Sequence, residues 1–111
     1  MSNTQTVTID VLRSLAFGGI SGSYAAVGDA IEEMVRLVCI TNNTDGDMFF
    51  STDGSNNMLF VAAGSFKLFD LNTNRFNRDQ MWTLPGNTQF YVKQSSAPSK
   101  GAVYIECLFG Q

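Results

Sequence analysis

The sequence has no histidine, two cysteines and two prolines, and only 15% of its 111 residues are charged. Without histidine there are no Ser-His-Asp or Cys-His nucleophile pairs, no imidazole metal sites and no side chain that titrates near neutrality. Cys39 and Cys107 are far apart in the chain and cannot form a zinc site without further ligands. Each stands in an apolar, strand-like stretch, which predicts two buried small hydrophobes, with a disulfide between neighbouring strands as the alternative. Seven basic residues against ten acidic ones give a formal net charge of -3, and no basic block occurs. Gripping phosphates needs clustered Lys and Arg, so no nucleic-acid partner is expected. The longest nearly apolar run, Met58 to Ala63, is far short of the roughly 20 residues that cross a bilayer, and no membrane partner is expected either. The first ten residues have neither the basic region nor the apolar core of a secretion signal, which predicts a product made in the cytoplasm.

Neutral polar residues fill the deficit in charge. Ten Ser, nine Thr and nine Asn supply turns, caps and strand surfaces, while 44% hydrophobic residues and nine Phe supply a core. The length allows one domain, residues 1–111, of which 1–24 reads as an N-terminal arm and loop.

Along the chain, short apolar or alternating runs are separated by turn residues. Thr6 to Leu12 alternates, with Val7, Ile9 and Val11 on one face, and reads as a half-buried strand. Phe17 to Tyr24 reads as a flexible loop, and Ala25 to Glu33 as a short helical turn capped by Asp29 with Glu32 three positions on. Met34 to Thr41 is nearly all apolar and predicts a strand in the middle of a sheet. Asp45-Gly46 is a hairpin signal leading to a strand over Met48 to Thr52. Asp53-Gly54 opens a second such turn, before Met58 to Val61. Ser65 to Leu71 places Phe66 and Leu68 on one face, Thr88 to Lys93 turns Phe90 and Val92 inward, and Ala102 to Phe109 turns Val103, Ile105, Cys107 and Phe109 to one side. The expected core is therefore Phe66, Leu68, Phe90, Val92, Val103 and Ile105. Seven to eight short strands with turns every eight to twelve residues predict an all-β fold: a single antiparallel β-sandwich, jelly-roll-like, or a barrel, with an extended N-terminal arm.

Candidate chemistry is sparse. Asp45, Asp47 and Asp53 stand in two adjacent turns that could share one end of the sandwich, and an oxygen cluster of that kind suits calcium. The same residues serve turns through bonds to their own backbone. Arg75, Phe76 and Arg78 form a small basic and aromatic group, and Trp82 and Tyr91 are candidate interface anchors. Adjacent Glu32 and Glu33 would point to opposite faces of a strand, and Gly18, Gly19 and Gly22 lack the spacing of a phosphate loop. The Ser, Cys and Asp residues have no recognisable base beside them, so neither an enzyme nor a cofactor is expected.

The stretch Ile40-Thr41-Asn42-Asn43-Thr44-Asp45-Gly46-Asp47-Met48-Phe49-Phe50-Ser51-Thr52-Asp53-Gly54, then Ala63-Gly64-Ser65-Phe66-Lys67-Leu68-Phe69-Asp70-Leu71, carries a recurring pattern. A strand ends in an Asn-x-Thr-Asp turn, a Ser-x-Asp-Gly turn follows, and Gly-Ser-Phe leads into an apolar strand. With Leu84-Pro85-Gly86-Asn87-Thr88-Gln89-Phe90-Tyr91-Val92-Lys93, Gly101 and Val103-Tyr104, it resembles small β-rich virion structural proteins of tailed bacteriophages, over roughly Tyr24 to Phe109. The resemblance implies a non-enzymatic virion protein that assembles as repeated subunits in the head-to-tail connector or neck. Its partners would be copies of itself in a ring or lattice and other virion proteins such as portal, adaptor, tail or major capsid protein. A capsid decoration or cement subunit is the first alternative. A calcium- or carbohydrate-binding module using Asp45, Asp47, Asp53 and Trp82 or Tyr91 is the second. Segments 4–24, 72–82 and 94–100 are the candidate docking segments.

Overall fold

A computed structural model describes residues 7–32, 35–71 and 87–110. Its strands are β1 (Val7–Ile9), β2 (Arg13–Ala16), β3 (Ala25–Ala26), β4 (Val35–Thr44), β5 (Met48–Ser51), β6 (Leu59–Val61), β7 (Phe66–Asp70), β8 (Tyr91–Gln94) and β9 (Gly101–Gly110), with a 3-10 turn at Phe17–Gly19. All pairings are antiparallel. The first sheet runs β1-β9-β4-β7 with β2 also on β9, and the second runs β3-β8-β5-β6. The two sheets pack as an all-β sandwich. β4 lies inside its sheet between β9 and β7, as its apolar sequence predicts.

Alternation of side chains across each strand builds the core. Val38 and Ile40 of β4 meet Val103, Ile105 and Cys107 of β9 on the inner face of the first sheet, opposed by Met48 and Phe50 of β5, Val61 of β6 and Val92 of β8. All are at most 2% exposed. Burying each such side chain contributes about 1.5–3 kcal/mol before the entropic cost. Of the six expected core residues, Phe90, Val92, Val103 and Ile105 are buried.

Phe66 and Leu68 are not: they are 63% and 55% exposed. In β7 it is Phe69 that packs on the core, because it stands opposite Val38, whereas Leu68 stands opposite Cys39 on the outer face. A second phase error lies in the N-terminal arm. Ile9 pairs with Leu108 and Arg13 with Ile105, so residues 10–12 contain one residue more than the β9 segment they oppose. Such a bulge switches the strand's faces. Before it, Ile9 points outward and is 75% exposed; after it, Leu15 packs on the core.

Ala25 to Glu33 forms no helix over its described residues. Val27 N donates to Phe90 O and Ile31 N to Thr88 O, so both side chains are buried from extended backbone, and the Asp29-Glu32 capping signal is unused. Nor is Asp45-Gly46 a hairpin. The chain turns there, but β4 belongs to one sheet and β5 to the other, so the turn is an arch between layers. Asn42, fully buried, replaces the missing ladder: its amide donates to Gly46 O and Val61 O while its Oδ1 accepts from Thr44 N. The second turn is a true hairpin, β5–β6, with Phe50 opposite Leu59.

The cysteines are free and lie on opposite faces of the first sheet, Cys107 opposite Val38 inside and half-buried Cys39 opposite Glu106 outside. That geometry rules out an intrachain bridge between them.

Candidate functional site

The three carboxylates singled out from the sequence do not converge. Asp45 and Asp47 precede β5 and Asp53 follows it, so they sit at opposite ends of a strand about 13 Å long by its rise per residue. Among the described residues no group of three or more His, Cys, Asp or Glu could hold a metal ion. Each carboxylate is spent locally. Asp45 accepts from Ser99 N at 2.7 Å and from the Ser99 hydroxyl, and these bonds hold its pKa below the usual value. Asp47 Oδ1 accepts from Ala63 N at 2.9 Å. Asp53 accepts from Asn56 N (2.9 Å), Ser55 N (2.8 Å), the Ser51 hydroxyl (2.7 Å) and the Asn56 amide, and these bonds hold its pKa far below the usual carboxylate range. These are the bonds by which turn residues stabilise their own loops.

Loop 94–100 is tied down in the same way. Ser95 N and Ser96 N donate to Asp47 O, Asp47 N donates to Ser96 Oγ, and Gly46 packs so closely on Ser96 O that a Cβ there would collide. Tyr91 is half-buried with its ring over Gly54. Arg75, Phe76, Arg78 and Trp82 lie outside the described residues.

What the fold offers instead is surface. On the outer side of the second sheet, Lys93 Nζ stands 5.0 Å from the Tyr24 ring centre and 5.7 Å from that of Phe49, and Phe49 meets Phe60 edge-on at 5.6 Å. The Tyr24 hydroxyl is held by Asn56 O at 3.2 Å, and its pKa is raised by burial and by the charge of Asp53. The outer side of the first sheet presents Phe66 and Leu68, with half-buried Leu37, Cys39 and Leu108 between them and Ile9.

The two edges of the sandwich differ. At the β2–β3 edge Arg13 ties the layers: Nε donates to Asp29 O (2.7 Å), Nη2 to Ala30 O (3.3 Å) and Nη1 to Asp10 Oδ2 (3.0 Å). Gly28, at φ 64°, leaves room for the Arg13 stem that a Cβ would fill. At the β6–β7 edge the described residues leave an apolar cleft of about 280 Å³ between the sheets, walled by Val38, Ile40, Leu59, Phe69 and Phe90 with Met58 and Leu71 beside them. Sequence reading missed both. Nothing marks Arg13 as a clip, since the groups it reaches in the other layer, Asp29 O and Ala30 O, are backbone carbonyls, and the cleft depends on how the sheets splay.

No protein-family model matches this sequence, and no curated protein matches it. Among solved structures, the chain is similar to one from Bacillus endospore appendages, described as a novel family of disulfide-linked pili. The likeness has a TM-score of 0.51 at 14% identity and covers 96% of this chain and 90% of the other. At that identity the likeness is one of fold. Among the described residues no helix is long and apolar enough to cross a membrane.

Proposed function

We propose that this protein is a non-enzymatic structural subunit that packs against copies of itself in a larger assembly. The observation that carries the reading is the amount of large apolar surface left outside the core: Phe66 and Leu68 on β7, and Ile9, Val11 and Leu12 at the opposite edge of the same sheet, are each more than half exposed. Large apolar side chains grouped on exposed surface mark protein interaction sites. Scarce charge agrees, since interface cores are depleted in Lys, Glu and Asp.

The setting we propose is the virion of a tailed phage, in the head-to-tail connector or neck, on the strength of the sequence pattern from Ile40 to Leu71 and its C-terminal continuation. A decoration subunit on the capsid shell is the alternative, and copy number separates them, because cyclic symmetry keeps a neck ring to on the order of twelve copies. An open filament is a second reading, favoured by the fold shared with a subunit of pili. Native mass spectrometry and sedimentation of the purified protein test the common element: defined oligomers or polymers are expected, and a strict monomer at all concentrations, absent from purified particles, would overturn it.

A further inference from the structure

In each sheet an interior strand turns a charged residue outward, and the two charges are opposite. On the first sheet Glu106 of β9 stands across from Cys39 of β4, with Leu108 and Tyr104 two residues away on the same face. Glu106 is exposed and those neighbours are half-buried. The rows that cross the sheet through Leu108 and Tyr104 hold one other charge, Asp70 at the β7 edge, and Arg36, at the bulge of β4, is already engaged. On the second sheet Lys93 of β8 stands across from Phe49 of β5, which stands across from Phe60 of β6. Lys93 is half-buried, its ammonium over the Tyr24 and Phe49 rings, and Asp53, whose charge reaches Tyr24, is spent in its own turn. Neither Glu106 nor Lys93 has a hydrogen bond or ion pair among the described residues. Both strands, β9 and β8, lie two strands in from the β6–β7 edge, where the chain leaves β7 through Leu71.

We propose that the outer face of the first sheet of one copy stacks on the outer face of the second sheet of another, with Glu106 paired to Lys93 across the contact. This rests on the structural-subunit reading and names the two faces through which it acts. Charge chooses the occupant. A first sheet laid on another first sheet would bury Glu106 among apolar side chains with no cation in the facing rows, and a second sheet on a second sheet would bring two ammonium groups onto the same aromatic ground. A charge taken out of water without a partner is costly. Unlike faces give each charge its counter-charge. The rings already hold the Lys93 ammonium in place, so less freedom is lost when the carboxylate arrives. The contact is head-to-tail, each copy keeping one face open for the next. Repetition then yields a ring if the rotation closes and a filament if it does not.

Charge reversal tests this, with Glu106→Lys on one face and Lys93→Glu on the other, and urea unfolding verifies that both fold. Sedimentation velocity is run where the wild-type protein assembles. Each reversal alone should self-associate about tenfold more weakly than wild type, because it sets like charges across the contact. An equimolar mixture should return to within about threefold of wild type, since each variant then finds its counter-charge on both faces of the other. Should Lys93→Glu not fold, Lys93→Met takes its place, keeping the length of the side chain without the charge. Glu106→Lys should then weaken assembly less in that background than in wild type, and equal losses would overturn the pairing. If the reversals assemble like wild type, or the mixture stays as weak as its components, the contact is wrong, another partner or another segment of this chain covers these faces, and the structural-subunit reading survives. If wild type itself stays monomeric at all concentrations, both fall.

Discussion

Thr44 directs both its N–H and its hydroxyl at the same Asn42 Oδ1, at 3.1 and 2.6 Å, inside the arch that carries the chain from one sheet to the other. The Asn42 amide meanwhile donates to Gly46 O at 2.8 Å and Val61 O at 2.9 Å. All four groups are shut away from water, so their partners cannot be replaced by solvent. Asn42→Ala should therefore cost roughly 3 kcal/mol in urea unfolding, the sum of several lost bonds and the groups left unpaired. A loss below about 1 kcal/mol would mean that water reaches the arch.

The phase of β7 is open to a paired substitution. Phe69→Ala should destabilise by about 2 kcal/mol, since its ring packs on the core from a partly buried position. Leu68→Ser should change the stability of the dilute protein by no more than about 0.5 kcal/mol. The reverse order would return Leu68 to the core. In β9, Ile105→Asp should abolish cooperative unfolding altogether, because it puts an unpaired charge where nothing is exposed.

Two glycines separate strain from collision. Gly64 has φ 72° and open space around it, so Gly64→Ala should cost about 1 kcal/mol for the left-handed backbone alone. Gly101 has φ 91°, and a Cβ there would run into Asn43 O at the β4–β9 ladder. Gly101→Ala should cost several times more. Equal losses at the two sites would contradict this account.

Acid should weaken the fold from below about pH 4, the usual range for carboxylates. The folded protein holds Asp53, and less strongly Asp45, below that range through bonds that only the charged form accepts fully. Their contribution is complete above the unfolded pKa and is lost as pH falls towards the folded one. Urea midpoints at pH 7 and pH 3 should drop less for Asp53→Asn than for wild type; an equal drop would assign the acid sensitivity elsewhere.

The thiols should differ in reactivity. Burial pushes Cys107 up to about 11, whereas Cys39 is half-buried on the outer face. At pH 8 a disulfide reagent should titrate one thiol per native chain promptly and the second only on unfolding. Two equivalents reacting at one rate would contradict the inward placement of Cys107.

The central strands were legible because their chemistry matched one period. β9 alternates Val103, Ile105 and Cys107 against polar or aromatic neighbours, and β4 is apolar enough to be internal in either phase. β7 was not legible, since Phe66, Leu68 and Phe69 put apolar groups on both faces and only the register against Val38 and Cys39 decides which face is inside. In the N-terminal arm, one extra residue reversed a correct strand reading. Asp29 with Glu32 three positions on read as a capped helical turn, yet hydrogen bonds to Phe90 and Thr88 bury Val27 and Ile31 from extended chain. For the carboxylates, nearness in sequence was mistaken for nearness in space, and β5 stands between them.

β9 lies between β4 on one side and β1 and β2 on the other. During synthesis, the partners of residues 101–110 emerge from the ribosome long before residues 101–110 exist. Until then β4 has no neighbour on that side, and the inner faces of both sheets lack Val103, Ile105 and Cys107 to pack against. The sandwich cannot close before residues 101–110 are made, and until then Val38 and Ile40 lack the β9 residues that flank them on the inner face.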